Sequence, residues 1–247
     1  MISATPAEAG VQYYVRTDGD DTCYGTSNAP FSAFPNCAFR TPHFAVNYIN
    51  AGDDVQIAAG NYDRFEIPNL TADESDPTVV SGDPSVARTL VSIEALSTER
   101  ESIKVTGGQS PNNTTRWLTI KHLTFKTGNR HAISLRGLDF LDILIEDIEG
   151  TPASFDNITC RQDDPNTVCE NTPRAAVIDM LGTGNSSRLT VRDSYFQGPA
   201  TPCYSNICGA NASVIRAAAG NVKVEWVQAR NFLGSFAAEI SHGSVVQ

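Results

Sequence analysis

Leu118-Thr-Ile120-Lys-His-Leu123-Thr-Phe125 places apolar side chains at alternate positions and then turns inward again at Leu123 and Phe125. The same phrase returns as Ile143-Leu-Ile145-Glu-Asp-Ile148-Glu-Gly150 and as Leu189-Thr-Val191-Arg-Asp-Ser194-Tyr-Phe196. A second phrase recurs between these copies. It reads Ala132-Ile133-Ser-Leu135-Arg-Gly137, then Val177-Ile178-Asp-Met180-Leu-Gly182, then more loosely Val214-Ile215-Arg-Ala217-Ala-Ala-Gly220. Alternation over so few residues marks a half-buried strand. Short strands recurring in fixed order mark a solenoid, because no single unit can bury its apolar face alone. The pattern predicts an all-β chain folded as a parallel β-helix, each phrase stacked on its own kind.

The spacing agrees. Leu118 and Ile143 are 25 residues apart, about one coil of short strands and turns. Ile143 and Leu189 are 46 apart with one copy of each phrase between them, which predicts a single coil carrying a long insertion at 151–174. Leu189 to Val222 is 33, with the surplus around Cys203 and Cys208. Strands of regular length with loops of irregular length are what a rigid stack with projecting loops gives.

Upstream, residues 1–10 read as a flexible lead-in and 11–247 as one domain. Val11 to Val15 reads as a strand. Thr41-Pro42 reads as an N-cap with proline at the first helical position, predicting a helix over 41–49 with Phe44, Ala45, Tyr48 and Ile49 on its apolar face. Residues 68–89 carry no strand signal and read as a polar excursion. Trp117 reads as a coil corner, and His43 and His131 as structural. The segment Tyr14-Val15-Arg-Thr-Asp18-Gly-Asp20-Asp, the helix, and Ala51-Gly52-Asp53-Asp54-Val55-Gln-Ile57-Ala-Ala-Gly60-Asn-Tyr62 together resemble the opening of secreted right-handed parallel β-helix proteins. These form the pectate-lyase-like superfamily. The resemblance implies a right-handed β-helix whose open end is covered by the N-terminal capping helix, and it brings many polysaccharide lyases into view. Binding and structural proteins share the same fold, so the resemblance implies no activity by itself.

Composition narrows the partners. The formal charge is −10 with no basic cluster, which excludes a phosphate-backbone partner, and no apolar run is long enough to span a bilayer. The six cysteines fall in local pairs, Cys23 with Cys37, Cys160 with Cys169 and Cys203 with Cys208, each bracketing a polar loop. Disulfides fit this better than zinc, because no neighbouring histidine completes a ligand set. Disulfides in turn predict a secreted or cell-surface protein. Met1-Ile-Ser-Ala-Thr-Pro lacks the basic start and apolar core of a signal peptide. The last glycine-closed phrase, at 238–243, is followed by no capping element, so the chain is expected to continue or to self-associate through its C-terminal coil edge.

Register then says which side chains share a surface. Aligning the repeats stacks Lys121, Glu146, Arg192 and Glu225 in one outward column. The column reads either as a solvated ion-pair ladder or as the floor of a groove for an anionic polysaccharide. Ser134, Asp179 and Arg216 form a second column with the same two readings. One position on, His122, Asp147, Asp193 and Trp226 line up. Here two neighbouring carboxylates predict one raised pKa, suited to acid–base work or a calcium site, and the imidazole and indole suit a sugar ring. The bland reading is turn chemistry, since Asp after a strand commonly caps its own turn. Thr17-Asp18-Gly-Asp20-Asp21 resembles a calcium loop by composition but lacks the closing glutamate.

Two functions follow as expectations. In the first, the chain is a carbohydrate-active protein, a polysaccharide lyase of a uronate polymer. Lys121, Arg192, Asp147 and Asp193 would do the chemistry, with His122, Glu146, Arg161 and Trp226 binding substrate. No cofactor is required, although calcium could neutralise the uronate. No diagnostic lyase motif is present. The second is a non-catalytic surface or adhesive module that binds glycans or itself.

Overall fold

A computed structural model describes residues 10–95, 101–108, 114–126, 131–137, 140–150, 176–182, 187–197, 213–217, 220–230, 239–240 and 245–246. In chain order these hold β1 (Gln12–Val15), α1 (Pro42–Tyr48), β2 (Asp54–Ile57), β3 (Gly60–Asp63), β4 (Phe65–Ile67), β5 (Thr78–Gly82), β6 (Val91–Glu94) and β7 (Glu101–Thr106). They continue with β8 (Thr115–Lys126), β9 (His131–Gly137), β10 (Phe140–Gly150), β11 (Ala176–Gly182), β12 (Arg188–Arg192) and β13 (Tyr195–Gln197). The last are β14 (Ser213–Ala217), β15 (Asn221–Glu225), β16 (Gln228–Arg230), β17 (Glu239–Ile240) and β18 (Val245–Val246).

Every pairing between these strands is parallel. The first sheet runs β1-β2-β5-β8-β10-β12-β15-β18, with β3-β6 continuing onto β8 and β13-β16 onto β10. The second runs β4-β7-β9-β11-β14-β17. Each phrase of the sequence therefore pairs with its own next copy, as its alternation predicts, and no hairpin joins β8 to β9. One cluster of buried apolar side chains draws on both sheets, from Tyr13 and Val15 through Ile133 and Met180 to Val222. Stacking Leu118, Ile143, Leu189 and Val222 puts each of them out of water, at about 1.5–3 kcal/mol per side chain.

The turn inside each long strand has a physical cause. Leu118 and Ile120 point inward, and strict alternation would send residue 122 inward too. Instead His122 sits in the left-handed region (φ 55°), which bends the chain and shifts the phase, so Leu123 and Phe125 face the core. Asp147 (φ 48°), Asp193 (φ 49°) and Trp226 (φ 52°) do the same in successive repeats. Trp117 (φ 53°) and Asp142 (φ 58°) make an earlier corner, as the position of Trp117 predicts.

The opening motif is explained by Asp53. This buried carboxylate accepts from the backbone N–H groups of Val11 (2.7 Å) and Asn50 (2.8 Å), tying the helix exit to the first strand. Thr41 Oγ1 caps α1 by accepting from Phe44 N at 3.2 Å, with proline at the first position as expected. The buried face of the helix differs from the expectation. Ala45, Val46 and Ile49 face inward, while Phe44 and Tyr48 are 36% and 56% exposed. Their rings lean on buried Phe39, with centroids 5.1 and 5.6 Å away.

The excursion at 68–89 contains a strand. β5 lies between β2 and β8, with Thr78, Val80 and Gly82 buried. It escapes a sequence reading because it is five residues long, carries only two valines, and is set among Asp and Pro. Gly82 is required there: a Cβ would fall 2.0 Å from the carbonyl oxygen of His122 at the corner.

Cys23 and Cys37 form the expected disulfide, closing a loop of sequence separation 14. Cys160, Cys169, Cys203 and Cys208 lie outside the described residues, as does the 151–174 insertion with Arg161. Replacing Cys23 and Cys37 together by serine should lower stability by about 3 kcal/mol, the loop-entropy value for this separation. The shift would be read as an earlier midpoint in guanidinium unfolding.

Candidate functional site

The outward column of the first sheet has the expected register: Ser81, Lys121, Glu146, Arg192 and Glu225 are successive neighbours. Glu146 is its hinge. Arg192 Nε donates to Glu146 Oε2 at 2.7 Å and Arg192 Nη2 lies 2.5 Å away, while Lys121 Nζ stands 4.0 Å off on the other side. Glu225 is met by Lys223 of its own strand at 2.8 Å. The hydrogen bond from Arg192 to Glu146 holds the guanidinium firmly charged. Lys121 is the looser cation, 41% exposed. Asp54, two strands away, feels it: burial pushes the Asp54 carboxyl up, and the Lys121 charge opposes that rise. Asp54 belongs to the opening motif, and nothing in its spacing announced a place on this face.

The corner column carries more chemistry than expected. His122 Nδ1 lies 2.5 Å from Asp147 Oδ2, and His122 Nε2 lies 2.8 Å from the Val86 carbonyl oxygen. Arg88 Nη1 donates to Asp147 Oδ1 at 2.5 Å and Arg88 Nε to Glu149 Oε2 at 3.3 Å. Its own carbonyl oxygen accepts from Thr124 Oγ1 at 3.1 Å. The excursion thus folds back and locks the corner through Arg88, which sequence reasoning missed. Its pattern gave no signal, because 59 residues separate it from Asp147.

The expected raised pKa is overturned at Asp147. Burial does push this carboxyl up, but the hydrogen bonds from His122 and Arg88 outweigh it and hold it below the usual carboxylate range. The hydrogen-bond partners of the corner, rather than Asp193, decide its charge. Asp193 is 58% exposed, with Arg192 Nε 3.9 Å away. A carboxyl with a depressed folded pKa stabilises above its unfolded value of about 3.9, and that contribution is lost as pH falls through the folded pKa. Asp147→Asn, an isosteric residue that tolerates positive φ, should therefore make the acid-side decline of Tm shallower. Thermal melts from neutral pH downward test this.

Trp226 ends the column 84% exposed and in a left-handed conformation. The left-handed backbone is the corner it shares with His122, Asp147 and Asp193; the exposed indole is what the corner does not explain.

The column Ser134, Asp179, Arg216 has the predicted register but is no solvated ladder. Asp179 and Ser134 are fully buried. Asp179 Oδ2 lies 2.9 Å from Arg136 Nη2 and 3.3 Å from Nε2 of buried His131. On β7, Glu101 accepts from Arg64 Nη2 at 3.1 Å, and Lys104 Nζ donates to Glu66 at 2.8 Å.

The carboxylates of the 17–21 turn are committed locally. Asp18 binds Arg16 at 2.8 Å and Asp20 accepts from Thr22 N at 2.9 Å. Asp21 accepts from the amides of Arg40 and Thr41 and from Thr41 Oγ1 at 2.9–3.0 Å. Among the described residues no group of three or more His, Cys, Asp and Glu is placed to hold a metal ion, and no helix is long and apolar enough to cross a membrane.

No protein-family model and no curated protein matches this chain. Among solved structures, the crystal structure of alginate lyase from Paenibacillus sp. str. FPU-7 is similar over 73% of this chain and 72% of that one, at 15% identity and a TM-score of 0.40. At that distance the likeness assigns no activity.

Proposed function

We propose that this is an extracytoplasmic, carbohydrate-active protein, a right-handed parallel β-helix acting as a polysaccharide lyase on a uronate polymer. The polymer lies along the outward face of Lys121, Glu146 and Arg192 and ends at Trp226. The observation that carries the reading is Trp226, an indole 84% exposed at the last corner beside a strip bearing both charge signs. Aromatic faces suit the apolar side of a sugar ring, and arginine suits a carboxylate. The Cys23–Cys37 disulfide supports an oxidising compartment.

In this reading Arg192 neutralises the uronate carboxylate and Lys121, acting as the free amine, takes the proton from the adjacent carbon. The electron pair forms a carbon–carbon double bond as the glycosidic C–O bond breaks, and the departing oxygen takes its proton from the Lys121 ammonium so formed. Glu146 spaces the two cations. Asp193 stands beside Arg192 to receive a sugar hydroxyl. Asp147 and His122 fix the corner that aims the strip, and Arg161 of the insertion is a further candidate for substrate binding. Incubation with uronate polymers, with and without calcium, tests the proposal through the ultraviolet absorbance of the unsaturated product.

A second reading is a non-catalytic glycan-binding module. The locking of Asp147 and His122 by Arg88 and Val86 favours it, because neither group is left to move a proton. Polymer retention without absorbance gain would select this reading, and neither retention nor turnover would reject both.

A further inference from the structure

We propose that the cleft between the capping helix and β3 is a second ligand site, built for a single acidic sugar. It has a volume of about 560 Å³, within the range of small-molecule sites. Arg40, His43 and Arg64 line it together with Asn61, Asp63 and the ring of Tyr62. In a chain of net charge −10, two arginines on one cleft run against the average surface, and their guanidinium donors suit a carboxylate.

The other lining groups narrow the class. Asp63 would repel a doubly charged phosphate or sulfate, whereas its carboxylate and the Asn61 amide can pair with hydroxyls. Tyr62 closes the back of the cleft, its ring buried and its hydroxyl donating to the Ala58 carbonyl oxygen at 3.0 Å. One carboxylate and several hydroxyls describe a uronic acid.

The rim is fixed before any ligand arrives. Glu101 holds Arg64 at 3.1 Å, and Asp21 holds the backbone amides of Arg40 and Thr41 at 2.9 and 3.0 Å. Preorganisation of this kind lowers the entropy cost of binding. The site is separate from the Lys121 strip. Asn61 stands in register with Ser92 and Thr124, beyond the corner made by His122. It therefore does not depend on the lyase reading.

Amide chemical shifts of the labelled protein, titrated with glucuronate, glucose and sulfate, test the proposal. Glucuronate should give saturable shifts at Arg40, Thr41, Asn61 and Arg64, and glucose and sulfate clearly weaker ones. Arg40→Ala, whose fold the spectrum itself verifies, should weaken glucuronate binding about tenfold or more. Lys121→Ala should leave it unchanged. The proposal is overturned by the absence of saturable shifts at these amides, by equal response to sulfate or glucose, or by an Arg40→Ala variant that binds as wild type.

Discussion

Asp179→Ala should destabilise the protein by about 1–3 kcal/mol, the usual consequence of leaving buried polar groups without their partner; Arg136 is 29% exposed and can turn to water. Asp179 is fully buried on the outward-parity side of β11, with Arg136 2.9 Å and His131 3.3 Å from its Oδ2. Taking the carboxylate away leaves the His131 ring facing a cavity. Ser134 is the internal control. It is the register neighbour of Asp179, equally buried, and its hydroxyl finds no hydrogen-bond partner. Ser134→Ala removes an unsatisfied group and should be neutral or slightly stabilising. Denaturant unfolding of both variants decides the matter. If Asp179→Ala costs less than about 1 kcal/mol, the contact with Arg136 and His131 is not what holds β9 to β11.

What could be read from sequence follows from what alternation encodes. Parity tells which side chains share a face, so the columns through Lys121, Asp147 and Asp179 came out in the register the strands adopt. Parity does not tell what covers a face, so the exposed ladder and the buried Asp179 looked alike. The corners were legible only as places where two alternating runs fall out of phase. The left-handed backbone of His122 and Asp147 is the reason for that break. β5 was hidden by its shortness, although its neighbours β2 and β8 need it between them. Arg88 was hidden by distance along the chain, and with it the low pKa of Asp147, because a charge brought in by a fold-back leaves no periodic trace. The helix was placed by its Thr-Pro cap. Its inward face was misjudged because Phe44 and Tyr48 are apolar yet serve as an outer layer over Phe39.

Replacing Lys121 and Arg192 together by alanine should abolish turnover of a uronate polymer, with a loss of about a hundredfold to ten-thousandfold, the range attributed to a positioned proton-transfer group. The fold should survive. Lys121 is 41% and Arg192 42% exposed, and exposed pairs contribute at most about 1 kcal/mol each. The two single variants divide the roles. Arg192→Lys keeps the charge but loses the planar fork that now grips Glu146 and would grip a carboxylate, so substrate affinity should fall. Lys121→Arg keeps a cation that stays protonated, so the rate should fall while polymer binding persists. Glu146→Gln releases both cations from their shared partner. On a functional strip it should tighten polymer binding, because the Arg192 fork is then free for the substrate carboxylate, whereas on a purely structural ladder it should change only stability. A double variant that keeps both turnover and polymer affinity would take the chemistry off this face altogether.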